Sequence, residues 1–336
     1  MKVFRGLQHP GIAGACALTI GNFDGVHRGH QAMIALLRGE AAQRGIDSCV
    51  LTFEPHPRDY FAAASATRDL APARVGTLRD KLTELAHCGI DQAVVLPFAA
   101  RLAAQSPQQF IDTVLVRGLG AKLVLVGDDF RFGARRAGDY PMLDAAGLKQ
   151  GFDVARMNSY QVHGLRVSSS AVRQALADGR LDDAAQLLGH PYRISGHVVH
   201  GRKLGRALDC PTLNLRFVHW KPAASGIFVV QVHGLTPRPL AGVANLGVRP
   251  SLDAADVNRG QVLLETHCLD WPSALGPDGG YAKIIRVELL HKLHDERKYD
   301  GLDALRRGIA QDCDDARDYF AAKQTEIPTQ RTRDRI

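Results

Sequence analysis

The chain has 336 residues, 45% hydrophobic and 23% charged, with a formal net charge of +7; this is ordinary for a soluble globular protein of one or two domains. No apolar run approaches a membrane span, and Met1–Gly6 lacks the apolar stretch of a signal peptide, so a membrane or secreted protein is disfavoured and a cytoplasmic one expected. Lys and Arg are dispersed rather than clustered with aromatics, which disfavours a nucleic-acid binder and suits an enzyme of small anionic substrates, although excess charge can also serve solubility alone.

Taken in chain order, the first half alternates apolar strands with helical patterns. Strands are predicted at Ala15–Ile20, Ser48–Phe53, Gln92–Leu96, Lys122–Val126 and Phe152–Ala155. Helices are predicted between them at Gln31–Arg44, Leu78–His87, Pro107–Val116 and Tyr140–Lys149, then at Ser169–Ala177 and Leu181–Leu188. This alternation implies a parallel sheet, with ligands beyond the carboxyl ends of its strands. Near His190-Pro191 the helical period fades. Short β-rich runs follow at Tyr192–Val199, Leu213–Phe217, Gly226–Val232, Leu240–Ala244, Val262–Cys268 and Lys283–Leu290, the pattern of a small antiparallel barrel. An amphipathic helix over Leu302–Phe320 closes the chain ahead of a polar tail. Expected domains are therefore 1–187, 188–322 and a tail 323–336. The six cysteines, at 16, 49, 88, 210, 268 and 313, form no CxxC pair, against both a zinc knuckle and a disulfide framework.

The segment Gly21-Asn22-Phe23-Asp24-Gly25-Val26-His27-Arg28-Gly29-His30 joins the first of these predicted strands to a helix. A helix start attracts phosphate, and glycine lets the backbone approach it. His27 and His30 can face the same way there, each able to donate to phosphate oxygens and to be partly charged near neutral pH. Two further segments reach the same sheet edge: Gly127-Asp128-Asp129-Phe130 after a strand, and Ser168-Ser169-Ser170 with Arg173 opening a helix. Singly they are weak. A serine run often only caps its helix, Gly-Asp-Asp-Phe can be a turn, and a histidine pair can sit on a solvated face.

In the second half, Gly201, Lys203, Gly205 and Arg206 precede Pro211-Thr212-Leu213-Asn214 without Walker A spacing. Glycines and basic residues can still cradle phosphates. Thr212 and Asn214 offer neutral oxygens on one face of a strand, suited to Mg²⁺ or phosphate-bound water. Glu265 is a carboxylate in an otherwise apolar strand, a candidate general base, though a lone strand glutamate commonly points to solvent.

The stretches GNFDGVHRGHQ, LTFEPHP (51–57), VGDDFRFG (126–133) and VSSSAVR (167–173) resemble bacterial FAD synthetases of the HxGH nucleotidylyltransferase superfamily. GHVVHGRKLGRALDCPTLNL, GVANLGVRPSLD (242–253), LETHCLDW (264–271) and the terminal HKLHDERKYDGLDALRRGIAQD resemble the riboflavin kinase barrel. The resemblance is to the bacterial bifunctional riboflavin kinase/FAD synthetase (FMN adenylyltransferase) family, over roughly residues 2–320. It implies an α/β fold: a Rossmann-like nucleotidylyltransferase domain with a parallel sheet, then an antiparallel β-barrel with a C-terminal helix. It implies ATP phosphates between His27, His30 and the serine loop, with Gly21, Phe23, Asp24 and Gly29 lining them and Arg173 assisting. It places flavin near Asp129, Phe130 and Arg249, has Thr212 and Asn214 organise Mg·ATP, and has Glu265 activate the terminal ribityl hydroxyl. Riboflavin, FMN and ATP are the implied substrates, with no nucleic acid, membrane or obligate protein partner evident. The family commonly has SSTxxR where Ser170 stands, Gly-Phe where Asp209-Cys210 stand, and often arginine at His294. The last two departures concern the kinase half, so a monofunctional FAD synthetase with a flavin-binding barrel is the alternative.

Overall fold

The structure is a computed structural model; it describes residues 1–67, 71–158, 160–162, 165–200, 210–217, 219, 221–248 and 262–325. The chain forms two compact units, Met1–Val172 with Leu187–Gly189, and Arg173–Gln186 with His190–Ile336. The second unit thus takes in most of the two helices that the sequence pattern groups with the first.

In the first unit six strands form one parallel sheet. They are β1 (Lys2–Arg5), β2 (Cys16–Ile20), β3 (Asp47–Glu54), β4 (Gln92–Pro97), β5 (Ala121–Gly127) and β6 (Asp153–Met157), in the order β1-β4-β3-β2-β5-β6. All five residues of β2 are buried, because the strand is covered on both faces. Alternate residues feed two cores. Leu18, Ile20, Leu51, Val94, Val124 and Val126 meet the helical segment Pro107–Val116 and helix Tyr140–Gln150. Ala17, Val50, Ala93, Leu123 and Leu125 meet Ile34, Leu37 and Ala41 of α1 (Arg28–Arg44). Within Pro107–Val116 the stretch Ile111–Val116 is π-helical.

The chain steps from β2 to β3 on one side and later to β5 on the other. A crevice therefore opens beyond the carboxyl ends of β2 and β5, where doubly wound sheets bind ligands. Strand β1 and the helix Pro57–Ala64 are additional to the elements read from sequence.

In the second unit, β9 (Arg193–Val199), β10 (Leu213–Phe217), β11 (Gly226–His233), β12 (Leu240–Val248), β13 (Val262–Cys268) and β14 (Ile284–His294) close a barrel in the order β10-β13-β12-β11-β14-β9. In the first unit, by contrast, β7 (Gln161–Val162) and β8 (Leu165–Arg166) form a separate two-stranded antiparallel ribbon. Leu215, Phe228, Val230, Ala244, Leu246, Leu264 and Val287 are all at most 1% exposed and fill the barrel interior. On the outer face, Val229 and Val243 are covered by Cys313 and Ala316 of the helix Leu302–Thr325. Among the described residues, no helix is long and apolar enough to cross a membrane.

Candidate active sites

The loop after β2 is held in a conformation that side chains rarely adopt. Phe23 (φ 48°) and Val26 (φ 39°) lie in the left-handed region, with Gly25 (φ 85°) between them. Left-handed backbone at a β-branched residue costs energy and persists only where surrounding contacts impose it. Those contacts are present. Phe23 and Val26 are fully buried. Gln31 donates to the Val26 carbonyl at 2.9 Å and to the Leu188 carbonyl at 2.7 Å. Thr52 Oγ1 donates to the Asn22 carbonyl at 3.2 Å.

The Asp24 carboxylate is 2% exposed and accepts from the Val75 N–H at 3.2 Å and from Arg74 Nε at 3.5 Å. Its acid is thus committed to the loop's foundation rather than turned outward. Arg74, 1% exposed, also binds Asp59 at 2.8 Å and lies 3.9 Å from Glu54. Removing one member of a buried charge cluster leaves the others uncompensated. Arg74→Met is accordingly expected to destabilise the sheet-bearing unit by about 3–5 kcal/mol. Scanning calorimetry reads this as a lower Tm, and an unchanged Tm would show that the cluster contributes nothing net.

His27 caps α1: its Nδ1 accepts from the His30 N–H at 3.4 Å, and the two rings stack at 3.6 Å between centroids. Gly29 suits that stacking, because a Cβ there would lie 3.3 Å from the His27 ring and press on it. The His30 ring also lies 4.8 Å from Phe23. Burial holds the His30 imidazole well below its ordinary pKa, with His27 and Lys81 adding to the effect. The expected partial charge near neutral pH is therefore absent from His30 in the free protein. Its Nδ1 is buried with no hydrogen-bond partner among the described residues.

Ser168 and Ser169 divide their tasks. Ser168 Oγ accepts from the Ala171 N–H at 3.2 Å, capping the helix Ser169–Ala177. Ser169 Oγ donates to the Asp24 carbonyl at 3.0 Å and so joins this helix start to the β2 loop. Ser170 is exposed on the first turn, and Arg173 lies one turn further on. Gly21 begins the β2 loop and donates its N–H to Leu51. Asp129 follows β5 with its side chain 82% exposed, 3.6 Å from Arg166. Phe130 stacks on Phe132 at 5.5 Å, presenting an aromatic surface near the same edge.

Lys81 was not singled out by sequence. It is 3% exposed, and burial lowers its pKa to about 8, with Arg74 acting in the same direction. Its Nζ donates to Thr52 Oγ1 at 3.3 Å, continuing through Thr52 to the Asn22 carbonyl. Its helical position reads as amphipathic surface, and only the fold turns it beneath the loop.

On the barrel, register assembles the second site. Glu265 of β13 pairs directly with Asn214 of β10 on one side and Asn245 of β12 on the other. Asn245 in turn pairs with Ile227, and Ile227 with His294. Directly opposed residues share a face, so this row runs over the outer surface of the barrel. Asn214 is 3% exposed and donates to the Thr212 carbonyl at 3.3 Å. The Oδ1 atoms of Asn214 and Asn245 are buried with no partner among the described residues. His267 hydrogen-bonds the Pro211 carbonyl at 3.0 Å, holding the Thr212 segment against β13. His294 binds Asp312 at 2.8 Å, tying β14 to the terminal helix. Cys210 is buried, and burial, with Cys313 nearby, pushes its thiol up to about 12. Gly201, Lys203, Gly205, Arg206, Asp209 and Arg249 lie outside the described residues.

No cluster of three His, Cys, Asp or Glu able to hold a metal occurs among the described residues. A buried, unpartnered amide oxygen such as Asn214 Oδ1 instead fits a hard cation brought in with nucleotide phosphates.

Comparison with known proteins gives a family for each half of the chain. Residues 10–171 match the FAD synthetase family and residues 188–320 the riboflavin kinase family. The chain is 44% identical to the bifunctional riboflavin kinase/FMN adenylyltransferase of Escherichia coli K12, covering 95% of this chain and 98% of the relative. The chain belongs to the bifunctional riboflavin kinase/FMN adenylyltransferase family. Another bifunctional riboflavin kinase/FMN adenylyltransferase, from Pseudomonas fluorescens, is 42% identical over 94% of this chain and 97% of its own. A crystal structure titled as a macrolide-efflux protein from Streptococcus pneumoniae superposes with a TM-score of 0.68 over 94% of this chain and 99% of its own, at 24% identity. That likeness shows the shared fold alone.

Proposed function

We infer that the chain phosphorylates riboflavin to FMN with ATP and adenylylates FMN to FAD with a second ATP, releasing pyrophosphate. The observation that carries this is the presence of two chemically distinct sites. One is the stacked histidine pair at the switch point of a parallel sheet; the other is a carboxylate set between two carboxamides on a barrel.

Adenylyl transfer joins an FMN phosphate oxygen to the α-phosphorus of ATP. The nucleophile is already anionic at neutral pH, so no general base is needed. Positioning and charge neutralisation suffice. His27 and His30 are proposed as donors to the phosphoryl oxygens. Gly21, Phe23, Asp24 and Gly29 shape the loop, with Asp24 acting through its backbone. Ser168, Ser169, Ser170 and Arg173 furnish the second phosphate-binding helix start, and Asp129 and Phe130 the flavin contact.

Riboflavin phosphorylation uses an alcohol, which must lose a proton, and Glu265 is proposed to accept it. Thr212 and Asn214 would hold Mg²⁺, which neutralises phosphate charge when bound with ATP. Gly201, Lys203, Gly205 and Arg206 are proposed for the ATP phosphates and Arg249 for flavin. Asp209 would weaken ATP binding rather than abolish turnover.

The direct test is incubation with riboflavin, ATP and Mg²⁺, followed by separation of the flavins. Both FMN and FAD should accumulate; turnover of FMN to FAD without use of riboflavin would return the monofunctional alternative. We further propose the functional boundary near residue 187. A fragment spanning 187–336 should be soluble and make FMN, and an unfolded fragment would count against that boundary. Six free cysteines suit a cytoplasmic setting.

The state of Lys81 gives a pH expectation. The amine is charged below about 8 and loses its charge as pH rises through that value. Positive charge beneath the histidines is then lost, so kcat/KM for FMN adenylylation should fall across pH 8. Lys81→Met should lower activity at pH 7 and abolish this descending limb. Stability moves the other way. The pKa lies below the ordinary 10.5, so the cost of burying the charge is present below about 8 and is relieved between there and 10.5. A profile in which the limb survives in Lys81→Met would assign it to another group.

A further inference from the structure

We propose that Asn245 is a substrate-positioning residue of the kinase site, holding the hydroxyl next to the reacting one on the polyol chain of the acceptor. The proposal rests on the kinase reading above and gives a role to a residue that lies within the family-like stretch 242–253 but to which the sequence assigns none.

The argument starts from register. Asn245 and Asn214 stand directly opposite Glu265 on its two neighbouring strands. Directly opposed side chains have Cβ atoms about 4.5–5.5 Å apart. The two carboxamides therefore flank the carboxylate on one face. The two sides differ. Asn214 lies two residues from Thr212 and donates to its carbonyl, so that side borders the proposed phosphate position. Asn245 lies on the other side, away from Thr212. Next along the row comes Ile227, so the polar stretch ends there.

This order has the polarity of one kind of acceptor. It runs from a phosphate-side carboxamide, through a carboxylate for the reacting hydroxyl and a carboxamide for another hydroxyl, to an apolar residue. A polyol with a flat apolar group at its far end matches it. With the terminal hydroxyl at Glu265, a neighbouring hydroxyl of an extended chain falls within reach of Asn245.

The state of the side chain supports the assignment independently. Asn245 Oδ1 is buried and has no hydrogen-bond partner among the described residues. A buried acceptor left unpaired carries an uncompensated desolvation cost. A hydroxyl donating to it would recover that cost on binding, and its amide N–H would remain free to donate to a second oxygen of the chain.

The test compares riboflavin with an analogue lacking the hydroxyl adjacent to the terminal one, in the full-length protein. The parent should phosphorylate the deoxy analogue with kcat/KM lower by about 10–100-fold, as expected when a buried polar group loses its partner. Asn245→Ala should lower kcat/KM for riboflavin by a similar factor and treat the two acceptors alike. KM for ATP, FMN adenylylation and the Tm of the barrel should stay near parent values. Asn245→Ser, which retains a short hydroxyl, should recover part of the discrimination and keeps the measurement accessible should the alanine variant fail to fold. Discrimination as strong in the variants as in the parent would overturn the assignment of Asn245 alone. Absence of acceptor phosphorylation by the parent itself would overturn the kinase reading and the assignment with it.

Discussion

Glu265→Gln is expected to cut FMN formation from riboflavin by about two to four orders of magnitude, the usual contribution of a positioned general base. FMN-to-FAD conversion should continue at the parent rate. Glutamine keeps the shape and one oxygen of the side chain, and β13 remains paired on both sides, so the barrel should be undisturbed. What is lost is the capacity to take the proton that the ribityl hydroxyl must release as it attacks phosphorus. Quenched time courses with the flavins separated measure both steps in one sample. Phosphorylation at the parent rate would show that Glu265 is not the base.

His30→Ala should produce the reciprocal result. Loss of one preorganised donor to a developing anion typically costs about 10²–10³ in kcat. FAD formation should fall by that factor while riboflavin phosphorylation is retained. The imidazole is kept neutral by its buried position against His27 and Phe23, so it serves as an oriented donor without carrying a standing charge. Its removal also leaves His27 without its stacking partner, which should add to the loss. An equal fall in both activities in a folded variant would refute the division of labour, and unchanged FAD formation would remove His30 from the site.

Most elements were legible because their periodicities were strong. The helices at Leu78–His87 and Leu181–Leu188 and the strands at Leu213–Phe217 and Val262–Cys268 occur with the bounds read from sequence. Strand β1 was not legible. It is an edge strand with only Phe4 buried, so it shows neither alternation nor an apolar run. Helix Pro57–Ala64 buries only Ala62, although Pro57 at its first position and His56 as its cap were available as a signal. The histidine pair and Glu265 were legible as residues. Their surroundings were not, since Arg74, Lys81 and Asn245 acquire meaning only through tertiary contacts and strand register. Asp24 illustrates the converse: its motif suggested a phosphate site, while its carboxylate is taken up by Arg74 and Val75.

The double pairing of β13 also governs which sequence changes the barrel tolerates. Leu263 to Thr266 are bonded in register to β10 and β12 at once, so this strand cannot slide against one neighbour without breaking from the other. A single-residue deletion within it would exchange the faces of everything beyond, driving Glu265 into the space filled by Leu264 and Leu246 and turning an apolar residue outward. Substitutions along β13 can be graded in their effects, but length changes should be all-or-none. Insertions and deletions in descendants of this chain should therefore accumulate in connecting segments such as Gly234–Pro239 and stop abruptly at Val262.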